Sequence, residues 1–166
     1  MKQRTRTLAL LGMCTAAAMI LSYVESFIPS LSPGLKIGLP NIVIVFVLYR
    51  AGWGAAGAVS LIRVVLTALS FGSMLSLAYG LAGAVLSLLV MTLLRRTQIF
   101  SAVGVSVAGG VAHNTAQICV AAVVMGTRQI LYYLPILMIG GTVAGILVGI
   151  AGGILLARLP QTRFAE

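Results

Sequence analysis

Aspartate is absent from this chain of 166 residues, and glutamate occurs only as Glu25 and the terminal Glu166. That scarcity excludes whole classes of chemistry. A two-metal or Mg-diphosphate site draws on several Asp or Glu ligands, and paired-carboxylate catalysis needs two acids in one site. Histidine is represented by His113 alone, so no second His or nearby carboxylate completes a metal set. No Gly-rich loop ends in Lys, which excludes P-loop ATP hydrolysis and leaves energy coupling to an ion gradient or a partner. These residues imply no cofactor and no enzyme. Cys14 and Cys119 lie early in one apolar run and late in another. If both helices start on the same side, the two thiols differ in depth by roughly 20 Å. A disulfide cannot bridge that gap, and both are expected as small core residues.

What the chain has in abundance is apolar surface. Hydrophobic residues make up 60%, charged residues 8%, and mean hydropathy is +1.13, which is the composition of an integral membrane protein. Runs of about 20 apolar residues mark spans. Six are visible, near Thr7–Ile28, Leu39–Arg50, Gly52–Ser70, Ser73–Leu94, Phe100–Met125 and Leu131–Arg158. They predict an all-α bundle of six transmembrane helices in one membrane domain over residues 1–166. The basic N-terminus resembles the start of a signal peptide, but its apolar run continues to Ile28 and further spans follow, so the reading is a retained signal-anchor helix.

Eleven Lys and Arg would suggest nucleic acid in a soluble protein. Here they fall mostly between spans, where they set topology and attract anionic lipid heads; no nucleic-acid partner is expected. With the N-terminus inside, Lys2, Arg4, Arg6, Arg50, Arg95, Arg96, Arg158 and Arg163 are cytoplasmic, Lys36 and Arg128 are outside, and Arg63 is buried. Both termini are therefore expected in the cytoplasm.

Polar groups inside the spans are the candidate site, because unsatisfied polar atoms are costly in hydrocarbon. At about 100° per residue, Ser106, Gly110, His113, Asn114 and Gln117 share one arc of the fifth span, with Gly104, Ala108, Ala112 and Ala116 opposite. In the third span Ser60, Arg63, Thr67 and Ser70 share an arc with Gly52 and Ala56. Arg63 needs a partner or water at that depth: Glu25, an anionic ligand and polar backbone are the alternatives. Charge favours an anion near Arg63, Lys36 and His113. A cavity is expected between the third, fifth and sixth spans. Segment Pro29–Pro40, with Lys36 at its tip, is either a lid or an ordinary connecting loop. Small residues recur as Gly141/Gly145/Gly149/Gly153, as Gly12/Ala16 and as Gly72/Ser76/Gly80/Ala84, spacings that let helices approach closely within the bundle or across a partner interface.

Tyr23-Val-Glu-Ser26, Gly34-Leu-Lys-Ile-Gly-Leu-Pro-Asn41, Ser60-Leu-Ile-Arg63 and Ala112-His-Asn-Thr-Ala-Gln117 resemble a bacterial membrane family labelled heptaprenyl diphosphate synthase component I, or Gx transporter family. That family is similar to the substrate-binding S components of energy-coupling factor (ECF) vitamin transporters. The resemblance implies a multi-pass protein of the bacterial plasma membrane, six helices, cytoplasmic termini and an outward pocket covered by the first loop. It also implies docking on an ECF transmembrane subunit and its ATPases through small residues of the first helix, here Gly12/Ala16. Glu25 and Asn41, inside the matching motifs, join His113, Asn114, Gln117, Arg63 and Lys36 as candidate substrate-binding residues. The leading expectation is a component for uptake of a small polar or anionic metabolite, such as a vitamin or precursor. The alternatives are a non-catalytic membrane subunit beside polyprenyl diphosphate synthesis, or a membrane scaffold. Prenyl diphosphate synthases hold Mg-diphosphate with Asp-rich motifs, which this chain lacks.

Overall fold

The computed structural model of the chain describes residues 2–28 and 37–159. The regular elements among them are helical: α1 (Lys2–Ser26), α2 (Asn41–Phe71), α3 (Met74–Thr97), α4 (Ala102–Val124), a short 3-10 turn (Gln129–Tyr133) and α5 (Leu134–Arg158). Five helices are long and apolar enough to cross a membrane. The chain is a multi-pass membrane protein. Even α4, with 23 residues, covers about 35 Å at 1.5 Å per residue, more than the ~30 Å hydrocarbon core. Leu8, Ile20, Leu69, Leu93 and Ile139 are exposed, as lipid-facing positions require.

The sequence predicts six separate helices and the described residues form five, because the stretches 39–50 and 52–70 join in α2 with no loop between them. Gly52 alone inside α2 leaves helical geometry, at φ 84° and ψ 179°, a backbone state open essentially to glycine. A straight helix would set Asn41 and Arg63 about 33 Å apart. Both instead line one cavity, so the chain doubles back at Gly52 into a short arm, Asn41–Ala51, and a long arm, Trp53–Phe71.

Arginines secure that bend. In an unbroken helix the amides of Gly52 and Trp53 would bond the Leu48 and Tyr49 carbonyls. At the break, Arg95 Nη1 donates to Leu48 O, and its Nη2 donates to Tyr49 O at 3.1 Å. Arg50 Nη2 donates to Leu156 O at 2.6 Å, in the last turn of α5, and to Leu159 O at 2.7 Å, just beyond it, carbonyls that have no helical donors of their own. Arg50, Arg95 and Arg158 thus share one end of the bundle, and Arg128 lies in the turn at the other.

The short arm is about 16 Å long, half a span, and Val43 through Leu48 are all buried. Backbone that ends at bilayer depth must be shielded by protein, which is why this segment sits in the centre of the core with Ala18, Val59, Met91, Val105 and Val148 around it.

Glycines bring α4 and α5 into backbone contact. A methyl group on Gly145 would stand 2.5 Å from Val107 Cα, and one on Gly149 would stand 2.6 Å from Val103 Cα. The stripe ends there, since Gly153 has nothing within 4 Å. On α4 the close approach is made by Gly110, whose methyl would stand 2.5 Å from Gly141 O. On the opposite face Ala116 is buried, while the nearest atoms to Gly104 belong to Phe100 and Ser101 just before the helix. In the α3 stripe, Gly80 packs on Val64 of the long arm and Ala84 is buried. α1 is held chiefly by α2, and its Gly12 meets nothing within 4 Å. Cys14 packs against the core as expected, but Cys119 is exposed rather than in the core.

Candidate functional site

A cavity of about 90 Å³ lies inside the bundle and receives residues from all five helices. α4 supplies Ser106, Gly109, Gly110, His113, Asn114 and Gln117, so the polar arc legible in the sequence becomes one wall. Asn41 and Val45 come from the short arm of α2, Arg63 from its long arm, and Glu25 from α1. The site is therefore broader than a space between residues 52–70, 100–125 and 131–158, because α1, α3 and the short arm also contribute. Chain reversal at Gly52 is what brings Asn41 and Arg63 to the same place.

Asn114 and His113 each have an identifiable support. Asn114, 6% exposed, donates Nδ2 to Leu137 O at 2.8 Å and ties α4 to the start of α5. Its amide fits a notch left by Gly141, where a methyl would stand 2.9 Å from Nδ2. The His113 ring lies against Gly83 of α3, with Cε1, Nδ1 and Nε2 all 2.7–2.9 Å from where a methyl would be. Gln117 is half-buried on the same wall.

Glu25 is buried, and its Oε1 accepts the Gly38 N–H, which fixes the chain just before α2. Arg63 Nη1 donates to Ser22 Oγ at 3.3 Å, while its Nε is buried without a hydrogen-bond partner. Glu25 and Arg63 both line the cavity, but the hydrogen bonds of each run to other groups. The first amides of α2 are also engaged: Asn41 N bonds Gly38 O at 2.8 Å, Ile42 N bonds Leu39 O at 3.2 Å and Val43 N bonds Pro40 O at 3.1 Å. An anion would therefore be met by the Arg63 guanidinium rather than by a free helix N-terminus.

The second polar arc divides. Only Arg63 reaches the cavity; Ser60 borders a groove of about 290 Å³ between α2 and α3, with Trp53 and Arg96. Thr67 Oγ1 is buried without a hydrogen-bond partner, and Ser70 is exposed. Lys36 and the stretch 29–36 of the expected lid lie outside the described residues; Ile37, Gly38 and Pro40 from its end do line the cavity.

Sequence reasoning missed Ser87 and Met91 of α3, Val148 of α5 and the supporting Gly83. Ser87 and Met91 are four apart, one helical turn, but nothing local says which neighbour that face meets. Gly83 lies beside the Gly72/Ser76/Gly80/Ala84 stripe, and only the pairing of α3 with α4 gives it meaning.

A family model described as heptaprenyl diphosphate synthase component I matches residues 14–155, a stretch that contains every cavity residue named above. No curated protein and no solved structure matches the chain.

Proposed function

The chain belongs to the heptaprenyl diphosphate synthase component I family, and we propose that it is a binding component for membrane uptake of a small polar or anionic metabolite, not an enzyme. The observation that carries this reading is the polar cavity inside an apolar bundle, with Arg63, Asn41, His113 and Gln117 on its walls. Intramembrane polar groups are retained where they bind or conduct something. Discontinuous helices such as α2 recur at substrate sites of transporters. Size limits the ligand: about 90 Å³ is well under the roughly 300–1,000 Å³ of drug-sized pockets.

In this reading the arginine-rich end faces the cytoplasm of a bacterial plasma membrane, by the positive-inside bias, and both termini lie there. The open Gly12/Ala16 face of α1 is then available to an ECF transmembrane subunit with its ATPases. The family description favours a second reading, a non-catalytic membrane subunit beside heptaprenyl diphosphate synthesis. The lack of Asp disfavours catalysis, and a heptaprenyl chain exceeds the cavity.

Uptake and co-purification separate the two. Cells expressing the chain should take up a small metabolite, and Gln117→Leu should abolish that gain while leaving the Asn114–Leu137 tie intact. Unchanged uptake, together with recovery of a soluble prenyl synthase on the purified chain, would support the accessory role instead.

A further inference from the structure

Both signs of charge line the cavity. Arg63, half-buried, enters from the long arm of α2, and buried Glu25 from the end of α1. Sequence alone points to an anion there, because Arg63, Lys36 and His113 outnumber one acid. Placing Glu25 on the wall changes the balance. Among the described lining groups Arg63 and Glu25 balance, so a single anion there leaves one negative charge uncompensated in a poorly polarisable site, and a single cation leaves one positive charge; each is disfavoured. A ligand carrying one of each adds no net charge and gives each wall group a counterpart.

We propose that the cavity is built for a small zwitterion, an ammonium carboxylate of about the size of glycine or β-alanine, with its carboxylate on Arg63 and its ammonium on Glu25. This rests on the reading of the cavity as a ligand site. Hydrogen-bonding capacity agrees. The hydrogen bond of Arg63 among the described residues is the long Nη1 contact to Ser22, at 3.3 Å, so the guanidinium keeps donors for a carboxylate, whose two oxygens match its fork. Glu25 accepts from the Gly38 amide through Oε1, and a carboxylate has further acceptor positions for an ammonium. Volume agrees as well, since about 90 Å³ admits few heavy atoms and no long chain. The amides at the start of α2 are bonded to Gly38, Leu39 and Pro40 carbonyls, so they supply no competing anion site.

The test is calorimetric titration of the full chain in lipid nanodiscs with glycine, β-alanine, acetate, ethylammonium and acetamide at one pH and ionic strength. A zwitterion is expected to bind at least about tenfold more tightly than the other three. Glu25→Gln keeps an acceptor for Gly38 and should move the preference toward acetate. Arg63→Gln should move it toward ethylammonium. If Arg63→Gln does not fold, the wild-type order and the Glu25→Gln shift decide the matter. Acetate, ethylammonium or acetamide binding as tightly as the zwitterions would overturn this proposal and leave the cavity a ligand site. No binding of any probe, and no ligand retained by the wild-type chain, would overturn the parent reading with it.

Discussion

Gly141, Gly145 and Gly149 on α5 and Gly12 with Ala16 on α1 share one sequence signature, small residues a helical turn apart, and meet opposite fates. On α5, Gly145 and Gly149 are closed by the backbone of α4 at distances no side chain would allow, and Gly141 by the Asn114 side chain and the Gly110 carbonyl. On α1, Gly12 faces open space and Ala16 is exposed. In lipid there is no hydrophobic drive for one apolar helix to prefer another over acyl chains, so close packing decides association. The α4–α5 seam therefore belongs to the fold and carries the cavity wall, whereas the α1 stripe takes no part in the packing of the described residues.

The largest effect should come from closing the seam. Gly145→Ala places a methyl against Val107 Cα and Ser106 O, backbone that yields only if the helices separate. A loss of about 3 kcal/mol is expected in unfolding by detergent titration, with ligand binding lost because Ser106 lines the cavity. Gly52→Ala tests the bend: no atom crowds the site, so the expected cost, about 2 kcal/mol on the same scale, comes from the positive φ alone. Gly83→Ala should cost about 1 kcal/mol as the His113 ring shifts, and its signature is a loss of ligand affinity larger than the loss of stability. Gly12→Leu stands at the other extreme. Its unfolding should match the wild type within about 0.5 kcal/mol, while co-purification with any membrane partner is lost. A strongly destabilised Gly12→Leu protein would remove the contrast between the two stripes.

Much of this was legible in the residues. Apolar runs located the spans, and the His113, Asn114 and Gln117 spacing placed three side chains on one wall, because helical periodicity is local. The join of residues 39–50 to 52–70 was not legible as one element: Arg50-Ala-Gly-Trp53 reads as a boundary, and glycine can act as a loop, a kink or a reversal. Nor was the contribution of Ser87 and Gly83 to the site, since helix pairing is a tertiary choice that similar small-residue stripes do not encode. Arg50 and Arg95 read as topology signals and also cap the carbonyls of Leu156, Leu48 and Tyr49, a role visible only once the chain ends are set side by side.

Native mass spectrometry of the gently solubilised chain tests the central claim most directly. The wild type should carry a bound small molecule that is released on activation and is absent from Gln117→Leu, with both proteins equally folded. A wild type with no adduct, or the same adduct on Gln117→Leu, would contradict the assignment of this cavity as the ligand site.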